Sequence, residues 1–284
     1  MSKAQCQLAW RRKLPQLLDL MLDSLRLQLD IVQALAYREQ SKRIRKSPFG
    51  VAGLLLEPLL LVAAFLLLRL LLRGKVSHFM NPVLELGSGF ILFYLFSRIA
   101  LTALSGVTLR DRSLLSLRRV RPIDLLLARL LVDLQLYGTC LVGIILAVSA
   151  YEWQLVMADP GAAVGIFLLI AITSLGVGLF ALVLGHRLPI IRVVARLFLR
   201  RILFWTSGLF FSVALIPDYV RPWLLWNPLL HGIELFRHAL VPTYPIPDVS
   251  MAYLVGCAFG SVGISLLIYG NNEELLMGNE ESDS

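Results

Sequence analysis

Residues 161–185 read GAAVGIFLLIAITSLGVGLFALVLG, twenty-five residues without one charged side chain. At 1.5 Å per residue a helix of this length reaches ~37 Å, enough to cross a hydrocarbon core of about 30 Å. Comparable runs lie at 51–72, 82–104, 131–150, 202–216 and 251–269. The pattern predicts an all-α integral membrane protein with six transmembrane helices. Composition agrees: of 284 residues, 57% are apolar and 16% charged, where a soluble domain carries roughly 45–50% and about 25%. A soluble enzyme, a disordered chain and a disulfide scaffold are excluded. Cys6, Cys140 and Cys257 are odd in number and far apart, so they suggest neither a disulfide framework nor a metal site.

The net charge of +8 has a topological source. Of 27 Lys and Arg, 21 fall in the N-terminal region, the loop 105–130 and the stretch 186–201. The alternate loops, 73–81, 151–160 and 217–250, hold four, and Arg69 and Arg98 lie within spans. Basic residues concentrate on the cytoplasmic side, which sets both termini there and makes nucleic acid an unneeded explanation. The start MSKAQCQLAWRRKLPQ has no apolar h-region, so no cleaved signal peptide is expected. The chain divides into a cytoplasmic amphipathic region (1–48), a transmembrane domain (49–270) and an acidic cytoplasmic tail (271–284).

In the first region Leu18, Leu22, Leu25, Leu29, Val32 and Ala36 recur at three- and four-residue steps, flanked by basic clusters. Such a helix is expected to lie among lipid headgroups, with a partner-facing helix as the alternative. The tail, with Glu273, Glu274, Glu280, Glu281 and Asp283, reads as a solvated end.

Charges within a bilayer are costly and are usually paired or turned to a cavity. Across the hairpin of the first two spans, Arg69 falls at the depth of Glu85, and Glu57 at that of Arg98. Both combinations are expected to face each other or a shared polar cavity. Arg129 and Asp133, four apart, are expected to form a local pair. Gly161/Gly165 and Gly256/Gly260, with Gly263 beyond, have the spacing of close helix–helix contacts. Gly176-Val-Gly178 with Ala181 matches a dinucleotide fingerprint but follows no strand, so it also reads as packing.

Two connections stand out. RDRSLLSLRRVRPIDLLLARLLVD holds a short amphipathic helix (113–120, with Leu114, Leu117, Arg118 and Arg119), then Arg121, a rigid turn at Pro122 and a helix cap at Asp124. That order suits a lever pushed by a cytosolic partner. The outer loop 217–250 holds 6 of the 13 prolines and is aromatic, with Trp223, Trp226 and Tyr244. Asn227 caps and Pro228 opens a predicted helix over 228–239, too short to span and expected to re-enter the outer leaflet. His231, Glu234, Arg237 and His238 ride on it, either lining a substrate path or making structural hydrogen bonds. HxxE without a further ligand does not define a metal site.

At ALAYREQSKRIRKSPFGVAGLLLEP (34–58), Phe96–Asp124 (with SGVTLRDRSLLSLRRVRPID) and NPLLHGIELFRHALVPTY (227–244) the chain resembles the ABC-2-type transport permeases, specifically the inner-membrane subunit of capsular polysaccharide exporters. It lacks the Trp expected near Leu54. The resemblance covers about 31–270. It implies a homodimer joined to two cytosolic ATP-binding subunits, a lipid-linked polysaccharide cargo, and continuity with periplasmic and outer-membrane export proteins. No phosphate-binding GxxxxGK[ST] occurs, so ATP and Mg would be bound by the partner and no catalytic residue is expected here. By resemblance, Leu114, Leu117, Arg118, Arg119, Arg121, Pro122 and Asp124 couple to that ATPase. Trp223, Trp226, Asn227, His231, Glu234, Arg237 and Tyr244 would shape the outer path or gate. The amphipathic stretch 188–201, with Arg192, Arg196, Arg200 and Arg201, would sit near the inner entrance. The rivals are a permease for O-antigen, teichoic acid or a drug, a membrane-embedded glycosyl- or acyltransferase, and a passive anchor.

Overall fold

Five helices begin on a proline, at Pro82, Pro122, Pro160, Pro189 and Pro228. The fixed φ suits the first turn, where the missing N–H has no helical partner anyway. The computed structural model describes residues 26–47, 49–71, 79–105 and 122–270. The side chains of Glu57, Arg69, Leu70, Pro122, His186, Arg187, Pro189 and Tyr269 are outside that description. The first 25 residues, the tail 271–284 and the segment 106–121 lie outside the described residues, and with that segment Leu114, Leu117, Arg118, Arg119 and Arg121.

The helices are α1 (26–46), α2 (Gly50–Leu71), α3 (Pro82–Ser105), α4 (Pro122–Glu152), α5 (Pro160–Arg187), α6 (Pro189–Leu197), α7 (Pro228–Leu240) and α8 (Met251–Gly270). A π turn, Phe198–Ile202, and a last helical turn, Leu203–Thr206, prolong α6. Five helices, α2, α3, α4, α5 and α8, are long and apolar enough to cross a membrane. Among them α3 is central: 78% of its apolar window is buried, against 12% for α2 and 17% for α8. The start of α3 is tied to the end of α4, where Asn81 Nδ2 donates to Glu152 Oε1 at 2.8 Å.

α5 lies between α3 and α8, and glycine lets it approach both. A Cβ on Gly178 would fall 2.7 Å from the Ala100 carbonyl oxygen of α3; one on Gly176 would fall 2.7 Å from the Val262 nitrogen of α8. Ser174 donates to the Phe96 carbonyl and Ser265 to the Gly176 carbonyl, so polar groups fasten both seams. The fingerprint-like Gly176-Val-Gly178 is thus a packing device. By contrast, a Cβ on Gly165, Gly256, Gly260 or Gly263 would meet nothing within 4 Å. The GxxxG pairs expected to pack are not what brings these helices together; spacing marks small residues, but not which face is covered.

Further expectations change. The fifth span over 202–216 is not a membrane-length helix. Its helical part comes earlier, over 189–206, and ends at Ser207 before Gly208, whose φ of 69° leaves the helical region. A 3₁₀ turn, Val213–Leu215, follows. Four arginines within 192–201 keep the helical part from being uniformly apolar. The third span is longer than 131–150: α4 has 31 residues, ~46 Å against a core of about 30 Å. Its first turns therefore extend beyond the apolar layer. Asp124 lies inside the first turn of α4 and is wholly buried, rather than capping it. In α1, finally, Val32 is buried but Leu29 is 60% exposed, so the protein-facing side is rotated from the predicted stripe.

Leucine at Gly178 should overpack the α3–α5 seam and cost about 1–3 kcal/mol, lowering the melting temperature of the detergent-solubilised chain. Leucine at Gly260 should leave that temperature unchanged.

Candidate functional site

Two arrangements invite a functional reading: a buried polar cluster around α7, and a cavity between α2, α3, α4 and the π turn.

The cluster begins with local chemistry. Asn227 Oδ1 accepts from the Leu229 N–H at 3.0 Å, capping α7, while its Nδ2 donates to Ser207 Oγ at 3.0 Å and Thr206 Oγ1 at 3.2 Å. One side chain thus starts α7 and holds the end of the preceding helix. Further along α7, Arg237 is wholly buried. Its Nη1 donates to Glu234 Oε1 at 2.8 Å and the Gly208 carbonyl at 2.9 Å; Nη2 donates to the carbonyls of Glu85 at 2.9 Å and Leu209 at 3.3 Å. Tyr244 donates to Glu234 Oε1 at 3.2 Å, and the Val213 N–H donates to Oε2 at 3.3 Å. Burial pushes the Tyr244 phenol up to about 12, so it remains a donor. Gly89 on α3 leaves room for the guanidinium: a Cβ there would fall 2.8 Å from Nη2.

Glu85 is buried, and its charge also acts on Arg237. Sequence reasoning matched Glu85 to Arg69, whose side chain, like that of Glu57, lies outside the described residues. Glu234 and Arg237 at i,i+3 were a legible pair; their meeting with Glu85, 152 positions from Arg237, was not. His231 is also saturated. Its Nε2 meets the Leu225 carbonyl at 2.8 Å and its Nδ1 accepts from the Ser250 N–H at 3.0 Å, which fits a neutral ring. Burial pushes its pKa below the ordinary value, the Leu225 carbonyl acting the other way. His238 meets the Tyr244 carbonyl at 2.9 Å. Trp223 and Trp226 are exposed, as an interfacial belt requires. Of the predicted path residues, then, Asn227, His231, Glu234, Arg237 and Tyr244 hold the element around α7 together.

The cavity measures about 970 Å³. Arg43 and Lys46 from the end of α1, Arg98 from α3 and Arg200 from the π turn bring four cations to it; Phe93, Tyr94, Tyr137 and Phe204 line its wall. Arg43 is partly neutralised by Asp133 at 2.5 Å and Glu39 at 3.5 Å. Lys46, Arg98 and Arg200 are exposed and have no ion-pair partner among the described residues. Asp133, expected to pair with Arg129, bonds across to Arg43 instead. Rings face the apolar space while guanidinium and ammonium groups attract anions, a combination suited to an anionic group carried on an apolar or sugar body. Sequence named Arg98 and Arg200 separately; only the fold brings them together.

The ABC-2 type transporter family model matches residues 31–241. The chain is 31% identical over 250 residues to the polysialic acid transport protein KpsM of Escherichia coli, covering 87% of this chain and 95% of that one. It is 26% identical over 249 residues to the capsule polysaccharide export inner-membrane protein CtrC of Neisseria meningitidis, covering 87% and 91%. With BexB of Haemophilus influenzae, another capsule polysaccharide export inner-membrane protein, the identity is 23% over 232 residues, covering 82% and 87%. Membrane-length helices around a cationic cavity are the architecture of a permease. The chain belongs to the ABC-2 type transporter family.

Removing Arg237 as Met should leave Glu234 buried without its cation, at about 3–5 kcal/mol. The double variant Glu234→Leu/Arg237→Met should lose less than the two single losses added together. Chemical unfolding in detergent checks both.

Proposed function

We propose that this chain is the permease subunit of an ATP-driven exporter that moves a capsular polysaccharide, carried on a lipid, across the bacterial inner membrane. The observation that carries the reading is the cationic, aromatic-walled cavity in a chain aligned over nearly its whole length with capsule-export membrane proteins. About 970 Å³ is the size of a small-ligand site, so it suits the anionic, lipid-bearing end of the cargo rather than a length of polymer. Both termini face the cytoplasm in this reading, supported by the 21 bases on that side. The element from Ser207 to Val249 re-enters the outer leaflet. A 13-residue α7, ~20 Å long, is too short to cross, and its irregular neighbours are satisfied by protein groups, as backbone at membrane depth requires.

ATP and Mg belong to a separate cytosolic ATP-binding subunit, two copies of which work with two copies of this chain. The segment 106–121, with Leu114, Leu117, Arg118, Arg119 and Arg121, and then Pro122, is the contact to that subunit, while the wholly buried Asp124 lies behind it in the first turn of α4. Periplasmic and outer-membrane export proteins continue the route. A permease moves its cargo without covalent chemistry, so the chain has no catalytic residue in this reading.

Replacing Lys46, Arg98 and Arg200 together by Gln should abolish cell-surface polysaccharide, with lipid-linked polymer accumulating inside and the chain's abundance unchanged. Normal surface polymer in that variant would refute the cavity as the cargo site. Separately, Arg118→Glu with Arg121→Glu should stop export and release the ATP-binding subunit during affinity purification, while the membrane chain remains intact.

A further inference from the structure

The end of α4 breaks a local rule. Helices commonly stop on one residue in the left-handed region, and glycine usually takes that place because a Cβ is strained there. Here the Gln154 N–H donates back to the Ser149 carbonyl at 3.2 Å, the six-residue closure of such a stop. The left-handed residue is a tryptophan: Trp153 has φ 54°. A bulky side chain at positive φ is an outlier, held only where its surroundings enforce it, and such outliers cluster at functional positions.

The surroundings do enforce it. Asn81 Nδ2 at the start of α3 donates to Glu152 Oε1 at 2.8 Å, and the Val156 N–H donates to Ser149 Oγ at 3.0 Å. Val156 and Met157 pack against the core. The N–H groups of Ala158 and Asp159 donate to the last two carbonyls of α7, Leu240 at 3.2 Å and Ala239 at 3.0 Å. Asp159 Oδ1 then caps α5, accepting from the Ala162 N–H at 2.9 Å. The turn is thus fixed to α3, α5 and α7. None of these bonds uses the Trp153 side chain, so glycine at 153 would keep them all with less strain.

What the turn presents is apolar and aromatic. Trp153 is 94% exposed, Tyr151 81% and Leu155 72%. Glu152, the one charged residue from 150 to 158, is turned to Asn81, so the tip offers no charge to a partner. Its depth says what covers it. The eighteen residues from Leu134 to Tyr151 carry no charge; they reach ~27 Å, close to one hydrocarbon core. Trp153 follows at the edge of that layer, where an indole keeps its ring in the apolar border and its N–H among polar headgroups.

We propose that Trp153, with Tyr151 and Leu155, is a membrane anchor that seats in the phospholipid headgroup layer and fixes the depth of the α4 end and, through residues 158–159, of the α7 end. The left-handed turn aims the indole at lipid instead of back onto the protein. Neither the cargo nor the choice of leaflet enters this inference.

The test places the full chain in nanodiscs of phosphatidylethanolamine and phosphatidylglycerol, doped with a phospholipid brominated either near its headgroup or deep in its acyl chain. The Trp153 emission is that of the parent minus that of Trp153→Phe, which keeps the other four of the five tryptophans. Headgroup-side bromine should quench this emission about twofold more than deep bromine, and aqueous iodide should quench it little. Quenching by iodide with neither bromine effective would place Trp153 in water and overturn the proposal. Stronger quenching by deep bromine would overturn it too. Separately, Trp153→Gly should melt several degrees above Trp153→Ala in detergent, because only glycine relieves the left-handed strain. Equal melting temperatures would show that position 153 is not held left-handed, and the anchor would fall. If Trp153→Phe does not accumulate, Trp153→Tyr serves for the same subtraction.

Discussion

A guanidinium with no access to solvent holds the irregular half of this protein, around α7, together. The chain breaks from helix at Ser207 and does not regain an α-helix until Pro228. Irregular backbone in an apolar setting leaves carbonyls without partners, each expensive to bury. Arg237 answers several at once, donating to the carbonyls of Gly208, Leu209 and Glu85 while Glu234 balances its charge. An arginine presents a flat fork of donors, which a lysine cannot reproduce. The short α7, the turn at Gly208 and the start of α3 are consequently one unit.

That unit and the cationic cavity divide the molecule's polar groups by role. Around α7, His231, Glu234, Arg237 and Tyr244 are buried and bonded to protein partners, with Arg237 Nε left without a hydrogen bond among the described residues. Around the cavity, Lys46, Arg98 and Arg200 stay exposed, beside aromatic rings whose neighbours pack α2 against α3 through the stacked Phe65–Phe90 pair, 4.6 Å between centroids. The first arrangement supplies rigidity and the second supplies attraction for an anion. A transporter needs both, because a binding surface is useful only if the elements presenting it move together.

Much of this was legible in the residues. Long apolar runs located α2, α3, α5 and α8, since a lipid core imposes a minimum apolar length. Asn227-Pro228 announced α7 within one residue of its end, because capping and proline preference act locally. The break after Thr206 was not legible: Phe, Leu and Val continue on both sides of it, and hydropathy does not register a left-handed glycine. Nor was the pairing of charges. Arg129 with Asp133 was the natural local match, yet Asp133 bonds to Arg43, 90 positions away. The GxxxG spacings likewise indicated small residues without indicating their neighbours.

The sequence by itself determined the class of protein, its apolar helices, its charge asymmetry and the family to which it belongs. All but the family, which rests on the resemblance of whole motifs, follow from constraints acting within about twenty residues: crossing length, capping and the sign of nearby loops. Only the tertiary structure decided which charges meet, which glycines are covered and where a cavity opens. Those depend on side chains from Arg43, Arg98 and Arg200 converging across three elements, and no local pattern encodes which faces of separate helices come together.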